Sequence, residues 1–190
     1  APVPELLRRI SALKTPLVLV GHHVGEANVD SIACDWLAAV RELTYRLSGK
    51  GHQRIGLLRL ARGQRAAEAE AGYRHAMGSA GLAVKPSWIG QVDADLGETG
   101  LNAAAALLEE GLSAVVTQTA SLAEALAGEA LRRRIEVPGA LSMLSLLESK
   151  DHRLPGGRKL SGALLDAKEL GRSAVRRLTQ GLGQEPRIAA

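Results

Sequence analysis

The stretch DWLAAVRELTYRLSGKGHQRIGLLRL, residues 35–60, decides the fold. Asp35 stands where a helix N-cap belongs, and Trp36, Val40, Leu43 and Leu47 then recur at the spacing of one helical face. Gly49 stops that helix. RIGLLRL (Arg54–Leu60) follows as a short apolar run of the kind that forms a buried parallel strand.

The same alternation extends in both directions. Upstream, ELLRRISALK (Glu5–Lys14) reads as the end of a helix, and PLVLVG (Pro16–Gly21) as a strand. Downstream come a helix near Arg65–Ala80, a strand near Val84–Ile89, and a helix carrying Leu101, Ala105 and Leu108. SAVVT (Ser113–Thr117) is a strand. Ser121 and Glu124 have capping-box spacing and open the next helix, through Leu126 and Ala130. VPGALSMLSLL supplies a turn and a strand, Gly156 and Gly157 a loop, and KLSGALL (Lys159–Leu165) a further strand. Asp166 and Glu169 cap a last helix that ends at Gly181. Parallel strands cannot be joined by tight turns, so strands separated by helices predict an α/β fold with right-handed crossovers.

Composition narrows the function. The 190 residues carry a net charge of +4, which falls short of a dense DNA-binding surface. Aromatics are 2% of the chain, too few for stacking single-stranded bases. Arg132–Arg134 and Arg172, Arg176 and Arg177 sit at helical spacing, as on solvated faces. A single cysteine, Cys34, excludes an internal disulfide and suits a reducing compartment. No apolar run approaches the ~18 residues of a membrane span. The chain therefore reads as cytoplasmic, with no membrane partner, and its start at Ala1, on a helix end, reads as that of a processed or excised piece.

Catalytic motifs are missing. GxGxxG, GxxxxGK[ST] and GxSxG are absent, and no Ser, His and acid set stands out, so no catalytic residue is assigned and an enzyme is not expected. His22 and His23 follow a strand end, where open α/β sheets bind ligands. Adjacent histidines on an extended segment cannot aim at one metal, and no metal or cofactor is expected.

In order and spacing, these segments resemble the effector-binding core of the lactose- and galactose-repressor family (LacI/GalR). The match lies in TPLVLVG (Thr15–Gly21), VDSIACD (Val29–Asp35), GKGHQRIGLL (Gly49–Leu58), AGYRHAM (Ala71–Met77) and DAKELGRSAVRRL (Asp166–Leu178). The resemblance implies a two-lobed, periplasmic-binding-protein-like (type I) fold of parallel sheets flanked by helices, truncated at the N-terminus. It implies an N-terminal lobe of residues 1–60 completed by 159–183, a C-terminal lobe of 61–158, and a tail, 184–190.

By the same resemblance, a small-molecule effector binds between the lobes, the core dimerises, and a helix-turn-helix headpiece not in this chain holds operator DNA. A transporter's solute-binding protein of the same fold is the alternative. Sugar-binding members place an arginine where this chain has Ala69, an Asn-Asp pair where it has Gln118 and Thr119, and paired acids where it has Leu147 and Glu148. Their aromatic before Thr99–Gly100 is replaced by Asp95 or Leu96. These departures imply an effector unlike a common hexose or purine, or none.

The expected ligand-binding residues are His22, Asp35, Trp36, Arg62, Arg65, Asp95, Gln118, Thr119 and Glu148. Asp35 has helix capping as its plainer role, and Trp36 packing within a lobe. Arg62 and Arg65 suit an acidic effector if they are not simply solvated.

Overall fold

A computed structural model of the chain describes Arg9 and residues 16–21, 30–93 and 98–182. The chain forms two compact units, one of Ala1–Cys34 with Asp166–Ala190, the other of Asp35–Leu165.

In the smaller unit, β1 (Val18–Val20) pairs in parallel with β2 (Asp30–Ile32). Helix α5 (Ala167–Leu182) packs on both strands. Its start is closed by Asp166, whose Oδ1 accepts from the amides of Lys168 and Glu169 at 3.0 Å each. Arg177 ties the helix to β2 through Asp30, at 2.8 Å.

The larger unit is a five-stranded parallel sheet ordered β4-β3-β5-β6-β7. Its strands are β3 (Ile55–Leu60), β4 (Ile89–Val92), β5 (Ala114–Thr117), β6 (Ser142–Leu147) and β7 (Gly162–Leu164). The helices are α1 (Trp36–Gly49), α2 (Gln64–Ser79), α3 (Glu98–Glu109) and α4 (Ala120–Arg132). Helices α1 and α2 pack together, as do α3 and α4. Right-handed crossovers put the two pairs on opposite faces of the sheet.

Apolar periodicity becomes burial here. Val40, Leu43 and Leu47 of α1 and Ile55 and Leu57 of β3 are all at most 2% exposed. The AGYRHAM segment serves this packing. A Cβ on Gly72 would lie 2.2 Å from the Leu37 carbonyl oxygen, so only glycine lets α2 approach α1 this closely. Tyr73 next to it is fully buried and donates to the Ile55 carbonyl at 2.7 Å. Burial raises its phenol pKa well above the ordinary value.

The structure departs from the sequence reading at three places. The strand expected over Val84–Ile89 begins only at Ile89, because Pro86, with fixed φ and no N–H, opens a 3-10 turn over Pro86–Trp88. Helix α4 starts two residues before the Ser121–Glu124 box would place it, capped by Thr119, whose Oγ1 accepts from Leu122 N at 3.3 Å. The unit boundaries also fall elsewhere. β3 bonds to β4 and β5, and β7 to β6, so residues 35–60 and 159–165 belong with the larger unit. Periodicity marks a strand without saying which sheet it joins. The helix expected over Glu5–Lys14, apart from Arg9, and the tail 184–190 lie outside the described residues.

Candidate functional site

Every strand of the larger sheet points the same way, so the helices that connect them begin at its carboxyl edge. The chain runs from β3 outward to β4, then back across β3 to β5. Between β3 and β5 the connections therefore leave in opposite directions. Ligands of open α/β sheets bind at this switch point.

Seven of the expected site residues stand along this edge. Arg62 lies in the turn after β3 and is exposed. Arg65, in the first turn of α2, holds its guanidinium 5.3 Å from the centre of the Trp36 ring, a cation–π contact. Trp36 opens α1 and is 8% exposed. Asp35 before it caps α1, its Oδ1 accepting from Ala38 N at 2.7 Å. Thr119 caps α4, and Glu148 follows β6 as an exposed carboxylate. His22 and Asp95, with their neighbours His23 and Leu96, lie outside the described residues.

Gln118 bridges the switch point. It is 1% exposed; its backbone N–H donates to Leu58 O and its Oε1 accepts from Leu60 N, both at 2.9 Å. The end of β5 is thus fastened to the end of β3 by a side chain as well as by the ladder. With the oxygen committed, Nε2 carries the remaining donors of the amide.

Arg59 was not among the expected residues. It lies in β3 at 8% exposure, donating through Nε to Glu70 Oε2 at 2.9 Å and through Nη1 to Leu60 O at 2.6 Å. Arg74 takes the other oxygen of Glu70 at 2.8 Å. Burial pushes the Glu70 carboxyl up, but hydrogen bonds from Arg74 and Arg59 and their charges hold it below its ordinary value. This cluster fixes the backbone from which Arg62 projects. A lone charge inside the apolar run IGLLRL was the available signal.

Among the described residues, no group of three His, Cys, Asp or Glu side chains could hold a metal, and no helix is long and apolar enough to cross a membrane. An open recess lined by Ser87, Gln91, Asn102 and Glu110 lies on the flank of β4 and α3, away from the switch point. Among the described residues, this edge has donors, a buried aromatic ring and helix starts capped by Asp35 and Thr119.

Residues 44–190 match the family of periplasmic binding protein-like domains. No curated protein matches the chain. Among solved structures, the chain is similar to the Escherichia coli transcriptional repressor AscG, with 22% identity and a TM-score of 0.80, covering 95% of this chain and 66% of that one. It is similar to a sugar-binding transcriptional regulator of the LacI family from E. coli complexed with phosphate, with 22% identity and a TM-score of 0.82, covering 99% and 68%. It is also similar to a LacI family transcriptional regulator from Mycobacterium smegmatis, with 25% identity and a TM-score of 0.76, covering 94% and 67%. The chain thus spans about two thirds of the length of these structures.

Proposed function

The chain belongs to the family of periplasmic binding protein-like domains, and on that premise we propose that it is the effector-sensing core of a LacI/GalR-type transcriptional regulator. One observation supports the reading: Trp36, Arg65 and Gln118, with Arg62 in the turn after β3, belong to the carboxyl edge at the sheet's switch point. A fold alone does not assign a function, so the site bears the weight. A small effector bound there shifts the core between two conformations by binding them unequally. The reading includes a cytoplasmic homodimer that acts on operator DNA through a helix-turn-helix headpiece. The regulators among the structural neighbours favour it over a solute carrier or an enzyme.

A thermal-shift screen with neutral sugars, sugar phosphates, sugar acids and nucleosides tests it. A ligand at a hundred times its Kd stabilises the folded chain by about 2.7 kcal/mol. We expect at least one class to raise Tm, and Gln118→Leu, which keeps the buried volume and removes the amide, to abolish the rise. A rise that Gln118→Leu leaves intact would place the ligand elsewhere.

A further inference from the structure

The helix starts at the carboxyl edge are not alike. The first amides of any helix lack intrahelical acceptors and carry the positive end of its dipole. Asp35 and Thr119 satisfy such amides in α1 and α4. Helix α2 is preceded by Gly63, which has φ 97° and no side chain to offer, and no side chain caps it. Its first turn contains no acid. The nearest acids within the helix are engaged: Glu68 accepts from Gln64 at 2.8 Å, and Glu70 is held by Arg59 and Arg74.

A second, independent feature points at the same place. In the β3–β5 ladder Val116 lies opposite Leu57, so the alternation of side chains puts Gln118 on the face that carries Arg59 and its partner Glu70 of α2. Gln118 is 1% exposed and its Oε1 is taken by Leu60 N, while its Nε2 has no acceptor among the described residues. The Gln118 amide thus has donors to offer an acceptor at the same edge of the sheet as the uncapped start of α2. Arg62, exposed and without an ion-pair partner among the described residues, and Arg65 over Trp36 add positive charge.

We propose that the effector is anionic and places an oxyanion, a phosphate monoester or a carboxylate, against Gly63–Arg65, with Arg62 and Gln118 donating to it; this rests on the effector-site reading above. Apart from Asp93, the groups named here are donors or cations, the complement of an oxyanion. Asp93, exposed directly after β4, is an acid close in the backbone to this turn, since Ala61 N donates to the neighbouring Val92 O at 2.7 Å, and its charge would oppose an anion.

The test is an NMR titration of the ¹⁵N-labelled chain with inorganic phosphate, followed by glucose, glucose 6-phosphate and gluconate. Phosphate is expected to move the amides of Gly63, Gln64 and Arg65 and the side-chain amide of Gln118. Arg62→Gln, at an exposed site and with its fold checked by circular dichroism, should weaken phosphate at least about tenfold, and Asp93→Asn should tighten it severalfold. Glucose 6-phosphate binding above gluconate assigns a phosphate ester; the reverse order assigns a carboxylate. Phosphate affinity unchanged in Arg62→Gln, or shifts equally large at the starts of α1 and α4, would overturn the proposal. Glucose binding as tightly as both anions would also overturn it while leaving the effector site standing. If none of these probes and no compound of the thermal-shift screen binds, both readings fall.

Discussion

The two ends of the five-stranded sheet differ in how their polar groups are engaged. At the amino end several polar groups bond one another, although Trp88 Nε1 stays buried without a partner among the described residues: His52 Nδ1 meets Ser113 Oγ at 3.0 Å, Ser113 N donates to Arg54 O at 2.9 Å, and Tyr73 donates to Ile55 O. At the carboxyl end, Arg62 is exposed and the Gln118 amide keeps donors in reserve. The sequence segments that carry the family resemblance most visibly, the Gly-His turn and AGYRHAM, sit at the closed end or in the helix packing. They secure the scaffold. Of the residues proposed to bind, Arg62 is exposed, while Gln118 also fastens β5 to β3.

If that division holds, substitutions at the closed end should cost stability, and those at the open end should cost binding. The largest loss is expected for Gly72→Ala. Its methyl would meet backbone at Leu37 O, which cannot swing aside, so α1 and α2 must part, at a cost of about 1–3 kcal/mol or more. Urea denaturation checks this. Tyr73→Phe comes next; it strands the buried Ile55 carbonyl and should cost about 1–3 kcal/mol in the same assay.

A third expectation concerns acid. Glu129 accepts hydrogen bonds from Arg132 and Arg133, which hold its carboxyl down at about 2 against the slight rise that desolvation would give. A depressed carboxylate stabilises the fold above its ordinary pKa of 4.5, and that contribution disappears as pH falls toward 2. The Tm gap between the native chain and Glu129→Gln should therefore narrow across that window. A constant gap would show that the pair holds α4 by packing alone. The smallest stability effect belongs to Arg62→Gln, within about 0.5 kcal/mol, because nothing in the scaffold leans on it.

The comparison also separates what the sequence could reveal from what it could not. Helix and strand alternation was legible because burial imposes its own period: Val40, Leu43 and Leu47 announce α1, and IGLLRL announces β3. Pro86 displaced β4, since apolar character at Val84 and Ile89 does not reveal where the ladder begins. The unit boundary was hidden because sheet membership is settled by pairing partners far away in the chain. Asp35 and Thr119 stand at the expected edge, but as helix caps with backbone to satisfy. Gln118 was singled out by its place after a strand, yet the bond from Leu60 N that fixes its amide required coordinates. Arg59 and Glu70, eleven residues apart, meet only because α2 folds back over β3.

The central claim is that the carboxyl end of the larger sheet is the binding end. Hydrogen–deuterium exchange on the chain, with and without the strongest compound from the thermal-shift screen, tests it most directly. The account predicts new protection in the segments 60–66 and 117–122, with the 50–56 and 111–114 turns unchanged. Protection centred on those turns, with 60–66 and 117–122 unaffected, would contradict it.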